Sequence, residues 1–93
     1  MKVYISGKIT GDADYKKKFQ NAENFLEAAG FEVFNPAKET APGKSWAFYM
    51  RNDIKQLMDC DAILLLKDWK ESKGARLEAY IASQLDIKIY EEK

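Results

Sequence analysis

Ala62 to Leu66 reads AILLL, five apolar residues in unbroken succession. A strand with one wet face alternates apolar and polar side chains. A continuous run is what a strand covered on both faces requires, and that cover is characteristic of parallel sheets. Parallel strands need crossover connections, usually helices, so this one run predicts strands separated by helices.

The rest of the chain supplies them. KVYIS (Lys2 to Ser6) is β-rich and alternating, a first strand, and the glycine-bounded loop GKITG follows it. From about Asp12 to Ala29, Tyr15, Phe19, Ala22, Phe25, Leu26 and Ala29 recur at helical spacing, with Gly30 as the C-cap. FEVFNP is a second strand stopped by Pro36, and residues 37–44, AKETAPGK, form a loop around Pro42 and Gly43. Ser45 N-caps a second helix to about Asp59, with Trp46, Met50, Ile54, Leu57 and Met58 on one face. After AILLL comes the loop KDWKESKG, a third helix over Ser72 to Leu85, and IKIY (Ile87 to Tyr90) as a fourth strand. The expectation is one α/β domain over residues 1–93. It is a three-layer sandwich whose small Rossmann-like (flavodoxin-like) parallel sheet of about four strands carries helices on both faces.

Two absences narrow the chemistry. With no histidine, no His triad, His-ligated metal or His general base can arise within the chain. With a single cysteine, Cys60, there is no internal disulfide or cysteine-cluster zinc site, and its place before the apolar run marks it as a small buried hydrophobe. A formal net charge of zero with mixed signs leaves no footprint for nucleic acid or an anionic membrane, and Lys16 to Lys18 read as a solvated helix face. No apolar stretch approaches a membrane span, and the chain enters a strand directly, so a cytoplasmic location is the expectation.

Ligands of open parallel sheets sit beyond the carboxyl ends of the strands. That rule gathers Ser6–Gly11 (with Gly7, Lys8 and Ile9), Asn35–Pro36, and Lys67–Gly74 (with Asp68, Trp69 and Ser72) at one rim. The third helix starts there and holds an anomaly. At about 100° per residue, Leu77, Ile81, Leu85, Ala82 and Ala75 share one arc, and Glu78 points into its middle. Arg76, Ala79, Tyr80, Ser83 and Gln84 take the other side. A carboxylate aimed at a core stripe reaches solvent, joins a buried pair, or serves as nucleophile or base on a pocket floor with Ala75 and Ala82 leaving room beside it. A nearby helix N-terminus would keep it ionised. Tyr49 and Asp53 lie one turn apart along the second helix, where Asp53 either reaches the rim or is simply exposed. Ser72 and Gly74 could receive a phosphate or a sugar hydroxyl, or Ser72 could only cap the helix. GKITG is neither a P-loop nor G-x-G-x-x-G. Trp46, Phe48 and Trp69 read as packing residues, with Trp69 the best placed to stack on a base.

Taken together, these pieces resemble the nucleoside 2-deoxyribosyltransferase family and its relatives, the 2'-deoxynucleoside 5'-monophosphate N-glycosidases, in a compact form. VYISGKITG looks like their N-terminal strand and glycine turn, GFEVFNP like their second strand, DIKQLMDCDAILLL like the segment leading into the central strand, and SKGARLE like the motif around their nucleophilic glutamate. The resemblance implies that Glu78 attacks the anomeric carbon and carries a deoxyribosyl ester, that Asp53 orients sugar or nucleophile, and that Tyr4 and the Gly7–Gly11 turn line the pocket. It implies a 5'-phosphate near Ser72, where the nucleoside transferases tend to have Asp, and a positive charge from Lys8. No metal or organic cofactor is implied; the partner is a small nucleoside or nucleotide. A homodimer or higher homo-oligomer is expected, with the second helix as its interface. Two rivals stay open: a nucleotide-binding protein on the same fold without turnover, and an interaction protein whose Glu78 pairs with a cation across an interface.

Overall fold

In the computed structural model, which describes residues 1–38 and 43–93, strand and helix alternate as the apolar run requires. The elements are β1 (Lys2–Ser6), α1 (Tyr15–Ala28), β2 (Glu32–Phe34), α2 (Trp46–Met58), β3 (Ala62–Leu65), α3 (Lys73–Gln84) and β4 (Lys88–Glu91). Single 3₁₀ turns, Pro36–Lys38 and Trp69–Glu71, follow β2 and β3. The expected loop over 37–44 lies partly in the first of these turns and partly, at 39–42, outside the described residues. The sheet order is β2-β1-β3-β4 and every pairing is parallel. This is the flavodoxin-like order, with the switch point between β1 and β3.

Alternation along the two central strands divides the core. Val3, Ile5 and Ala62 face α1, where they meet Phe19, Ala22 and Leu26. Tyr4, Ile63 and Leu65 face the other way, onto Leu57, Cys60, Ala79 and Ala82. Leu66 lies just past the end of β3 and is still buried. Ser45 caps α2 by accepting the Phe48 amide at 3.1 Å, and Ser72 caps α3 by accepting that of Ala75 at the same distance. Among the described residues no helix is long and apolar enough to cross a membrane.

Three side-chain placements differ from the expectation. α1 starts at Tyr15 because Asp12 folds back to accept the Asp14 amide, and Phe25, though at helical spacing, is 72% exposed. On α2 only Met50 and Leu57 are fully buried. On α3 the buried arc is Ala75, Glu78, Ala79 and Ala82, while Leu77 and Leu85 are exposed. The sheet face opposite α3 carries the bulky Tyr4, Ile63 and Leu65. Small residues are therefore what let the helix pack closely there. Glu78 consequently sits at the edge of the buried arc rather than in its middle.

Candidate active site

Strand alternation turns Tyr4 and Ser6 to the α3 side of β1, and both meet Glu78. The Tyr4 hydroxyl donates to Glu78 Oε2 at 2.5 Å and the Ser6 hydroxyl to Oε1 at 2.6 Å. All three groups are buried, Glu78 with 5% of its surface exposed. Removal from water pushes the Glu78 carboxyl up to about 7; the hydroxyls of Ser6 and Tyr4 pull it back down, and the negative charge of Asp53 raises it further. Burial, then Glu78 and Asp53, push the Tyr4 phenol far above its ordinary range, so it is a neutral donor at every accessible pH. The expectation that a helix terminus keeps Glu78 ionised is therefore corrected. The carboxylate lies beyond the first turn of α3, desolvation dominates, and at neutral pH the acid and the carboxylate are both populated.

These groups form the floor of a cavity of about 290 Å³ at the carboxyl ends of β1 and β2. Gly7, Ile9 and Thr10 line it from the turn after β1, and Tyr15 and Phe19 from the start of α1. Pro36 and Ala37 contribute from beyond β2, Trp46, Tyr49, Met50 and Asp53 from α2, and Ser72, Gly74 and Ala75 from α3. The wall is aromatic and apolar and the floor holds the carboxylate, a combination suited to a flat ring with a polar, reactive attachment. At the mouth, Lys73 Nζ stands 4.1 Å from the Trp46 ring centroid. Gly7 must be glycine for contact reasons: a Cβ there would lie 2.9 Å from Leu66 Cβ.

Of the residues singled out in the sequence, the structure brings Tyr4, Gly7, Ile9, Pro36, Trp46, Tyr49, Asp53, Ser72, Gly74, Ala75 and Glu78 to this cavity. The others serve the rim instead. The Lys8 amide donates to Asp68 Oδ1 at 3.0 Å, and its ammonium faces Glu71 at 3.7 Å. Asp68 also accepts from Lys18 at 3.3 Å, so it ties both the turn after β1 and the first turn of α1 to the turn after β3. Asn35 is buried, donating to Glu23 and accepting the Ala37 amide. Gly11 supplies a left-handed turn residue, at φ +81°. Trp69 donates to Glu91 at 3.0 Å and packs against the core beneath α3. Sequence reasoning placed Thr10 only as part of the Gly7–Gly11 turn and Ser6 only at the rim, and read Tyr15, Phe19 and Met50 as helix-face residues without a place in the site. Ser6 was within reach, since positions 4 and 6 of a strand share a face and only they carry hydroxyls in KVYIS.

A family model described as a domain of unknown function, DUF4406, matches residues 1–91. No curated protein matches the sequence. Among solved structures, a 2-deoxyribosyltransferase from Bacillus psychrosaccharolyticus superposes with a TM-score of 0.78 at 18% identity, over 98% of this chain and 71% of that one. The TIR domains of the activated Roq1 resistosome superpose with a TM-score of 0.64 at 19% identity, over 97% of this chain and 55% of theirs. At these identities the likeness is one of fold.

Proposed function

Since the chain belongs to the DUF4406 family, whose function is unknown, its chemistry has to be read from its own site, and we propose that it cleaves or transfers at the N-glycosidic bond of a 2'-deoxynucleoside or its 5'-monophosphate. The observation that carries this reading is the Glu78 carboxylate, buried on the cavity floor and held on both oxygens by the Tyr4 and Ser6 hydroxyls. The same fold in a 2-deoxyribosyltransferase supports it.

A carboxylate with little solvation is a competent nucleophile toward an oxocarbenium-like sugar carbon. One Glu78 oxygen bonds to C1' as the C1'–N bond breaks, and the base leaves with the bonding pair. The departing nitrogen takes a proton from a water beside the substrate, which the negatively charged Asp53 orients. Water or a second base then attacks C1' from the face the first base left, its proton passing to Asp53 or to solvent, the ester bond breaks, and Glu78 is regenerated with configuration retained. Tyr4 and Ser6 fix the direction of the carboxylate in both steps. The aromatic wall from Tyr15, Phe19, Trp46 and Tyr49 holds the base, and Ser72 with Gly74 takes the 5' end.

The test is chromatography for free base after incubation with the four deoxynucleosides and their 5'-monophosphates, beside Glu78→Gln. Base release that disappears in the variant is the expected result. Release from monophosphates alone identifies an N-glycosidase, and release from nucleosides that rises with a second base identifies a transferase. One observation favours a second reading, a nucleotide-binding protein without turnover: both Glu78 oxygens are already satisfied within the chain. No base release, together with a melting temperature raised by a nucleotide, would establish that reading instead.

A further inference from the structure

β4 is an edge strand: β3 takes one of its sides, and among the described residues no strand takes the other. All four of its residues are exposed, Ile89 at 41% and Tyr90 at 47%. An exposed edge is a ready template for another strand, and proteins that avoid pairing usually blunt it with proline, a bulge or scattered lysines. Here the charges are Lys88 at the start and Glu91, Glu92 and Lys93 at the end, the Glu91 and Glu92 carboxylates also accepting from Trp69 and from the Lys67 amide of their own chain. The two ends are therefore complementary to each other in charge.

The backbone supplies the register. The amides of Lys88 and Glu92 donate inward, to the carbonyls of Asp61 and Leu65. The alternation of a strand therefore turns the N–H and C=O groups of Ile89 and Glu91 outward. We propose that a second copy of this chain adds its β4 antiparallel to this edge, about a two-fold axis at Tyr90, and joins the two four-stranded sheets into one. Residues that face each other across an antiparallel pair share a face of the sheet, so a two-fold pairs positions of equal parity. Centred on Tyr90, Ile89 and Glu91 of opposite copies exchange both of their backbone hydrogen bonds, and Lys88 of each copy stands opposite Glu92 of the other. Centred on Ile89 instead, Lys88 would face Tyr90 and the pairing of Lys88 with Glu92 would be lost, which disfavours that register. On the α3 side the pairing brings together the apolar grooves where Tyr80 and Ile89 are exposed. The expected interface through α2 is less well provided. Two of its exposed aromatics, Trp46 and Phe48, already carry lysines of their own chain over their rings.

The experiment measures mass by light scattering across a dilution series, for the whole chain and for Ile89→Pro. Proline at 89 removes an outward amide and leaves the ladder to β3 intact, as edge strands tolerate. The expected result is twice the 10.7 kDa of one chain for the parent. The expected result for Ile89→Pro is the monomer mass with an unchanged circular dichroism spectrum. In a Cys60→Ala background, Tyr90→Cys should cross-link to its counterpart on oxidation, because Cα atoms about 4.5 Å apart lie within disulfide reach. Lys88→Cys should not, since its counterpart is four residues away along the strand, roughly 13 Å. A parent monomeric at every concentration would overturn the proposal. So would a dimer indifferent to Ile89→Pro, a dimer dissociated by Leu77→Lys instead, or cross-linking at position 88 as readily as at position 90.

Discussion

Glu78→Gln should separate function from stability in opposite directions, and the separation should depend on pH. The Glu78 carboxyl titrates near 7 in the fold against an ordinary 4.5. Between those values the native state holds a proton that the unfolded chain has released, so stability is fully present below about pH 4.5 and declines as pH rises through 7. At about 1.4 kcal/mol per pKa unit, the decline amounts to about 3 kcal/mol once the group is fully ionised. That figure already nets the Tyr4 and Ser6 hydrogen bonds against desolvation, because all three act on the same proton affinity. Glutamine imitates the neutral acid in shape, and its amide can still accept from one hydroxyl and donate to the other. The variant should therefore melt with the parent near pH 5 and above it near pH 9, by on the order of 10 °C or more for a domain of this size. Differential scanning calorimetry of both proteins over that range measures the difference directly, and all other titrations cancel in it. A difference independent of pH, or one favouring the parent at high pH, would mean that the hydroxyls outweigh burial and that Glu78 is an ordinary carboxylate. The same calorimetry is silent on turnover, so it tests the electrostatics of the site apart from the proposed reaction.

Other perturbations follow from the same contacts. The rate of base release should rise with pH through about 7 as Glu78 ionises. Tyr4→Phe, which removes a donor that lowers that proton affinity, should move the midpoint of the profile upward and cost about 1–3 kcal/mol of stability in urea unfolding. Gly7→Ala places a methyl against Leu66 Cβ and Cδ1, both 2.9 Å away, and should destabilise by about 1–3 kcal/mol in the same assay. Glu23 is held below the ordinary carboxylate range, chiefly by the hydrogen bond from the Lys38 ammonium at 2.6 Å. Its contribution is present above the unfolded value and is lost as pH falls through the lower folded one. Glu23→Gln should accordingly flatten the acid limb of the melting profile.

The parallel sheet was legible because backbone periodicity reports it directly. AILLL demanded cover on two faces, the glycines and prolines placed the breaks, and the rim at the carboxyl ends of the strands followed from topology. What periodicity does not report is depth. Leu77 and Leu85 weigh heavily in any apolar arc, yet α3 lies down on its alanines, because the sheet beneath it presents Tyr4, Ile63 and Leu65. Residue size on the facing layer, absent from a helix's own pattern, decided the rotation. Lys8, Asp68 and Asn35 were placed at the right rim for the same topological reason, but their partners are Glu71, Lys18 and Glu23. Pairings across loops of such different sequence separation leave no local signature. Ser6 was the opposite case, a residue whose partner could be inferred once Tyr4 and Glu78 were set on one side of β1.

The identity of that partner weighs on the three readings of the buried glutamate. A carboxylate kept for structural reasons is most economically held by a lysine or arginine, which would lower its proton affinity and quench its charge. Among the described residues lining the cavity there is neither, and the donors on Glu78 are two neutral hydroxyls. Glu78 is also 5% exposed within a single copy, so a cation on another chain could meet it only by entering the cavity. Neutral donors orient the oxygens and leave the charge largely unquenched, and burial holds the carboxyl near neutrality. For a purely structural residue that is a standing cost with no return in stability. For a nucleophile that must approach an electron-poor carbon it is the useful arrangement, because an oxygen weakly stabilised before the reaction has more to gain in the transition state.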